Sequence, residues 1–146
     1  MRKTIIEAIV SGTFGSVAMI PFGILFRAFD MRVGHYGPKF AALYLEDPGR
    51  AALFLQHLVL GWVSAIPLCL LPLHRLSVSA ALGAGSLYGV AYYVVVNSLA
   101  LPVYFSDPLP WNLGITVIIP SLVVHIAFGA AVAYGVYYLR GRASAA

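Results

Sequence analysis

The chain has 146 residues, of which 61% are hydrophobic and only 10% carry a charge. Soluble domains have about 25% charged residues, so this composition is typical of an integral membrane protein. The net charge of +4 does not indicate nucleic-acid binding, because the basic residues lie near predicted helix ends and in one loop. A single cysteine, Cys69, excludes an internal disulfide or a cysteine-rich metal site.

Four apolar segments are long enough to cross a bilayer as helices, since about 20 apolar residues span its hydrocarbon core. These predicted spans cover residues 4–29, 51–73, 78–103 and 113–139. The first follows a basic start, as a signal peptide would, but Glu7 and the lack of a clear cleavage site favour an uncleaved helix. We therefore predict an all-α integral membrane protein, a single domain over residues 1–146 that forms a four-helix transmembrane bundle.

The connection between the first two spans, residues 30–50, is the longest of the three. Its first part is rich in turn-forming residues, and residues 39–46 then place Phe40, Leu43 and Tyr44 on one helical face. This spacing predicts a short amphipathic segment that lies along the membrane interface.

Lysine and arginine near the ends of the spans indicate the orientation of a membrane protein. The connection between the last two spans contains neither residue type, but it contains Trp111 and several prolines, as expected of an outer loop. The pattern favours a cytoplasmic location for both termini, and a bacterial inner membrane is the default location.

Small residues at one-turn spacing predict where the helices pack. Lipid-embedded helices gain little from hydrophobic association, so close approach of their backbones matters more. We predict that six glycines lie at helix contacts: Gly12, Gly15, Gly61, Gly85, Gly89 and Gly129.

Two spans share the spacing His-x-x-x-Gly-x-x-x-Ala, at His57, Gly61, Ala65 and at His125, Gly129, Ala133. The spans that precede them share an aromatic-glycine pair, Phe14-Gly15 and Tyr88-Gly89. The hypothesis that follows is a duplication, in which spans 1–2 and spans 3–4 form two pseudo-repeated helical hairpins. Chance resemblance is the alternative, because glycine and alanine are common in this chain.

His57 and His125 are the strongest candidates for a functional role, because an ionisable residue inside a membrane is a functional-site hypothesis by default. The alternative is a neutral imidazole that donates to a backbone carbonyl of a neighbouring helix. Asn97 is predicted at a depth close to that of His57, and Arg27 is predicted to reach towards both. These four residues form the predicted ligand or lipid pocket.

Histidines on adjacent helices also suit haem b, with one iron bound between two imidazoles. Their predicted depths differ by roughly 9 Å of helical rise, which argues against that arrangement. No metal site is predicted otherwise, and a quinone remains an alternative ligand of the same pocket.

No motif of a known enzyme class occurs, such as a Walker loop or G-x-S-x-G, so no catalytic activity is predicted. The leading expectation is a non-catalytic membrane subunit or scaffold that packs against a larger energy-converting or transport complex. Its partners would be lipids and other membrane subunits or a second copy, contacted through aromatic surfaces such as Tyr92-Tyr93. The alternatives are a small oligomeric transporter or channel, and a haem- or quinone-binding electron-transfer protein that uses His57 and His125.

Overall fold

The structure is a computed structural model that describes residues 2–31, 33–34 and 36–145. Four helical spans in it are long and apolar enough to cross a membrane. These spans pack together as a bundle. The predicted all-α four-helix bundle is therefore confirmed, and it indicates an integral membrane protein.

Short helices join the spans at one end of the bundle, and a single turn joins them at the other. In chain order the elements are α1 (Arg2–Ala28), α2 (Tyr36–Ala41), α3 (Arg50–Leu70), a 3-10 turn (Leu73–Arg75), α4 (Val78–Tyr92), a π-helical segment (Tyr93–Ala100), α5 (Leu101–Phe105), α6 (Pro110–Leu113) and α7 (Ile115–Ala145). The third span consists of α4, the π-helical segment and α5. We call the half of the bundle next to α2 and α6 the loop half, and the half next to the termini the terminal half.

Two predicted span boundaries differ from the structure for local reasons. The second span ends at Leu70 rather than at residue 73, because Pro72 forces the preceding Leu71 into an extended conformation. The fourth span begins at Ile115 rather than at residue 113, because Gly114, with a φ of 95°, ends the short helix before it. The third and fourth spans also continue past residues 103 and 139, where they were predicted to end.

The amphipathic segment predicted at residues 39–46 is misplaced. The helix in this connection, α2, runs over Tyr36–Ala41, and residues 42–44 form turns instead of continuing it. Pro38 fits into α2 because the N–H groups in the first turn of a helix have no partner within that helix. The aromatic rings of Phe40 and Tyr44 still pack together, with their centroids 6.1 Å apart.

The spans form a row that bends back on itself. α1 packs against both α3 and α7, and α4 packs against the other side of α7. The order of the row is therefore α3, α1, α7, α4, and its two end members face each other. They are linked through Ser64 of α3, whose carbonyl oxygen accepts a hydrogen bond from Tyr88 at 2.5 Å and whose hydroxyl donates to Tyr92 at 3.0 Å.

Glycines allow the closest helix crossings. A Cβ added to Gly12 of α1 would lie only 2.7 Å from the carbonyl oxygen of Gly61 in α3. A Cβ added to Gly89 of α4 would clash with the carbonyl group of His125 in α7. The backbones of α1 and α3, and those of α4 and α7, are therefore in direct contact, as packing in lipid favours.

The glycines of the two aromatic-glycine pairs, Gly15 and Gly89, make different helix contacts. Gly89 faces His125, which belongs to the other span of its own hairpin. Gly15 instead faces Phe128 and Val132 of α7, which belongs to the opposite hairpin.

Gly12 and Gly85 occupy the equivalent places in the two hairpins. The carbonyl oxygen of Gly12 faces Gly61, and the carbonyl oxygen of Gly85 faces Gly129. Each of these facing glycines follows a histidine by one helical turn, as the shared spacing requires. The duplication itself stays a prediction, now with Gly12 and Gly85 as its matching positions.

The hydrophobic core lies in the terminal half. Leu68, Leu73, Val132 and Val136 are at most 1% exposed there. A buried ion pair lies in the same half: Glu7 is 5% exposed and accepts a hydrogen bond from Arg140 Nη2.

Arg140 joins three spans through one guanidinium group. Its Nη2 lies 2.7 Å from a carboxylate oxygen of Glu7 in α1. Arg140 Nη1 donates a hydrogen bond to the carbonyl oxygen of Leu71 at 2.9 Å, and Nη2 donates a second one to the carbonyl oxygen of Cys69. The start of α1, the end of α3 and the end of α7 are therefore held together at this point.

Candidate ligand-binding cavity

A cavity of about 400 Å³ lies between the spans in the loop half. All four spans contribute to its walls, together with α2 and α6, and most of the wall surface is aliphatic or aromatic. Among the described residues that line it, none is lysine, arginine, aspartate or glutamate. The cavity therefore offers apolar surface and neutral hydrogen-bonding groups, without formal charge.

His57, Asn97 and His125, all predicted as pocket residues, line this cavity together. The fourth predicted residue, Arg27, is exposed and is not among the lining residues. Its guanidinium group lies beside Gly34, which does line the cavity: a Cβ on Gly34 would be 3.8 Å from Arg27 Nη2. Arg27 therefore lies next to the cavity wall and not in it, because its side chain extends to the surface.

His125 is held by two hydrogen bonds that define its protonation. Its Nδ1 lies 2.6 Å from the carbonyl oxygen of Ser121, one turn earlier in α7. Its Nε2 lies 3.0 Å from the side-chain nitrogen of Asn97. A carbonyl oxygen only accepts and an amide NH₂ only donates, so Nδ1 carries the proton and Nε2 accepts. His125 is therefore a neutral imidazole, oriented from both sides.

Asn97 was predicted near His57, but it contacts His125 instead. His57 forms the contact expected of a neutral membrane imidazole, with its Nε2 3.2 Å from the carbonyl oxygen of Ser16 in α1. The two histidines thus have separate hydrogen-bond partners on different helices, although they line the same cavity.

Two tyrosines that the sequence suggested as outward surfaces face inward. The ring of Tyr92 stacks on that of His125, with centroids 5.5 Å apart and an interplanar angle of 18°. Tyr93 is only 6% exposed and lies 6.3 Å from the same imidazole. Sequence reasoning missed both, although Tyr93 precedes Asn97 by four residues, a helical spacing that places both side chains on one face.

The π-helical segment brings these side chains to the cavity. It contains Tyr93 and Asn97, and it ends just before Pro102. Pro102 lacks an N–H for the carbonyl of Ser98, and its ring clashes with that carbonyl in a regular helix, which favours the wider turn. Short π-helical insertions occur often at functional sites, because they change the direction in which side chains point.

The connections at the loop end form a cap over the cavity. Lys39 of α2 pairs with Asp107, with Nζ 2.5 and 2.6 Å from the two carboxylate oxygens. Tyr36 of α2 stacks on Phe105, with ring centroids 5.9 Å apart. α2 is therefore fastened to the connection that follows α5.

Gln56 fixes the same cap to α3. Its Nε2 donates to the carbonyl oxygen of Gly37 at 2.8 Å, and its Oε1 accepts from the hydroxyl of Tyr44. Gln56 is 9% exposed and was not predicted as a site residue. A buried amide in an apolar helix was the signal that could have identified it, since such groups need partners.

The histidines do not fit haem. A bis-histidine site needs one nitrogen of each ring directed at the same iron. His57 Nε2 is directed at the carbonyl oxygen of Ser16, and His125 has both nitrogens engaged, by Ser121 and Asn97. Tyr92 also covers one face of the His125 ring. Ligation of a haem iron by both histidines would require the loss of a hydrogen bond of His125.

No protein-family model, curated protein or solved structure matches this chain. Its function is therefore inferred from its own residues and their geometry.

Proposed function

We propose that the protein binds an uncharged amphipathic molecule from the bilayer, of the quinone or isoprenoid-lipid class, in the loop-half cavity. One observation carries the proposal: the cavity of about 400 Å³ combines apolar walls with neutral polar groups and lies within the membrane-spanning segments. Small-molecule sites in proteins have this volume and this composition, with few polar groups to fix the ligand.

The lack of charge in the cavity decides between ligand classes. An anionic headgroup or a free anion needs lysine or arginine, and none lies among the described lining residues. A hydrated cation needs carboxylates, which are missing from the same set. Only a neutral headgroup can leave water for this cavity without the cost of an unpaired charge.

The route of entry is between α3 and α4. The cap formed by α2 and α6 covers the loop end, whereas α3 and α4 pack against other spans and meet mainly through side chains. Leu60 of α3 and Val96 of the π-helical segment line the cavity on the two sides of this gap. An apolar tail in the gap would remain in contact with lipid.

We infer further that the protein acts as a non-catalytic component of a larger membrane complex, located in a bacterial inner membrane with both termini in the cytoplasm. An exposed aromatic strip on α1 and α7 supports contact with another membrane protein: Phe14 lies 6.4 Å from Tyr134, which stacks on Tyr138. Stoichiometric co-purification with other subunits in mild detergent tests this role, and a protein that purifies alone and transports a solute in liposomes contradicts it.

Extraction of co-purified lipids tests the binding role directly. The wild-type protein, purified in mild detergent, should retain a neutral lipid that mass spectrometry detects at a defined ratio to protein. Val96→Trp fills the cavity and should lose this molecule. Val95→Trp is the matched control, because Val95 is the adjacent residue and is 59% exposed to lipid. Retention of only bulk phospholipid by the wild type would contradict the proposal.

A further inference from the structure

His57 presents a hydrogen-bond acceptor to the cavity. Its Nε2 faces the carbonyl oxygen of Ser16, so Nε2 carries the proton and the neutral ring has a lone pair on Nδ1. Within the described part of the chain, Nδ1 has no hydrogen-bond partner, yet it is not among the fully buried unpartnered atoms. Because His57 lines the cavity and its Nε2 is engaged, Nδ1 is the ring nitrogen that remains for a ligand there.

Asn97 presents a second acceptor. Because its amide nitrogen donates to His125 Nε2, its Oδ1 points away from that ring and has no partner among the described residues. The reverse orientation of the amide would need a proton on His125 Nε2 in addition to the one on Nδ1, and therefore an imidazolium. The described lining residues include no carboxylate that would stabilise this charge, since Glu7 pairs with Arg140 in the terminal half.

Other polar groups of the cavity can adapt to a ligand that donates hydrogen bonds to these two acceptors. The hydroxyl of Tyr93 rotates to donate or to accept, and the hydroxyl of Tyr92 accepts from Ser64 and can donate. The hydroxyl of Ser16 is fully buried, so a ligand in the cavity does not reach it. The second N–H of Asn97 adds a donor next to its Oδ1. The fixed acceptors, His57 Nδ1 and Asn97 Oδ1, are therefore the groups that discriminate between ligands.

We propose that the cavity selects ligands with hydroxyl headgroups over their carbonyl or ether counterparts, so that a quinol or an isoprenoid alcohol binds in preference to a quinone. The inference rests on the proposed function, because it concerns the same cavity. A hydroxyl donates to His57 Nδ1 or Asn97 Oδ1 and can still accept from the Asn97 N–H. A carbonyl oxygen accepts only, and it would leave both acceptors without a donor.

Decylubiquinol and decylubiquinone are the matched probes, because they share their tail and ring substituents and differ by the reduction that converts both carbonyls to hydroxyls and makes the ring aromatic. Their affinities for the full chain in nanodiscs, measured by calorimetry under anaerobic conditions, should favour the quinol by at least about tenfold. Equal affinities, or tighter binding of the quinone, would overturn the inference. Geranylgeraniol and its methyl ether repeat the comparison for an aliphatic alcohol, and they show whether the natural ligand resembles a quinol or an isoprenoid alcohol.

Two variants connect the preference to its residues. Asn97→Leu and His57→Phe each remove one acceptor and should reduce the preference for the quinol to about threefold or less. An undiminished preference in both variants would contradict the assignment of these acceptors. The wild-type comparison stands without them if either variant fails to fold. If neither the quinone nor the alcohols bind the wild type, the proposed function fails as well, whereas binding without preference overturns only this inference.

Discussion

The two halves of the bundle use the same four spans in opposite ways. The terminal half has a filled aliphatic core and a buried ion pair, Glu7 with Arg140. The loop half has a cavity of about 400 Å³, and none of the described residues that line it carries a formal charge. The filled core and its buried ion pair therefore lie at one end of the helix axes, and the open space with its uncharged lining lies at the other.

Helix-interior prolines occur in both halves, since Pro67 of α3 lies beside the core residue Leu68, but the π-helical segment lies at the cavity. Pro120 of α7 and the π-helical segment both lie at the loop half, where regular helix geometry is interrupted. In the terminal half, small buried residues such as Ala65, Ala81 and Ala133 lie among the large aliphatic side chains, and the space between the helices is filled.

The largest effect is expected from the helix crossing that supports both halves. Gly89→Leu places a side chain against the backbone of α7 beside His125, and a backbone contact cannot yield as a flexible side chain would. We expect a cost of about 3 kcal/mol or more and loss of the monodisperse protein in size-exclusion chromatography. Gly83→Leu on the same helix is the control, because a Cβ there meets nothing within 4 Å. Wild-type behaviour of Gly89→Leu would contradict the packing of α4 on α7.

The ion pair should dominate the stability of the terminal half. Arg140→Gln leaves the carboxylate of Glu7 buried without its cation, and we expect the free energy of unfolding to fall by about 3 kcal/mol. The double variant Glu7→Gln/Arg140→Gln removes both charges and should recover much of that loss. Reversible unfolding in mixed micelles measures both.

Arg142→Gln is the control for Arg140, because Arg142 is exposed and contacts Tyr138 rather than a carboxylate. It should change stability by less than about 0.5 kcal/mol. If the two arginine variants lowered the stability equally, the change in net charge, and not the loss of the buried ion pair, would explain the effect.

The neutral contacts of the loop half should be weaker than the ion pair. Asn97→Ala removes the donor to His125 Nε2, and we expect a loss of about 1 kcal/mol, since hydrogen bonds between membrane helices are modest. The same unfolding measurement compares it with Asn112→Ala, which alters an exposed asparagine of α6. A loss as large as that of Arg140→Gln would contradict the division between the halves.

The smallest effect is expected at the cap. Lys39→Met breaks the partly exposed pair with Asp107, which contributes at most about 1 kcal/mol. Amide hydrogen exchange of α2 should therefore become about two- to fivefold faster, while exchange in the terminal half stays the same. Glu46→Gln, an exposed change in the same connection, should leave both rates unaltered. Faster exchange throughout the bundle would show that the cap also stabilises the core.

The candidate site was only partly predictable. His57 and His125 were identified from the sequence because imidazoles are rare in apolar spans, and both line the cavity. The pairing of Asn97 with His125 was not identified from the sequence. The predicted depths were counted in residues from the helix ends, and this count assumes regular helices. The π-helical segment that contains Asn97 breaks this assumption, and it changes which neighbour the amide reaches.

The sequence by itself indicated the class of protein, the four spans and glycines at which helix backbones meet, although Gly15 meets side chains of α7 instead. Span length depends on consecutive apolar residues, and close approach depends on missing side chains, so both are local properties. The cavity, its cap and the inward direction of Tyr92 and Tyr93 were decided only by the tertiary structure. They depend on how each helix is rotated about its axis and on which helices are neighbours, and apolar residues on every side of a membrane helix leave that rotation unspecified.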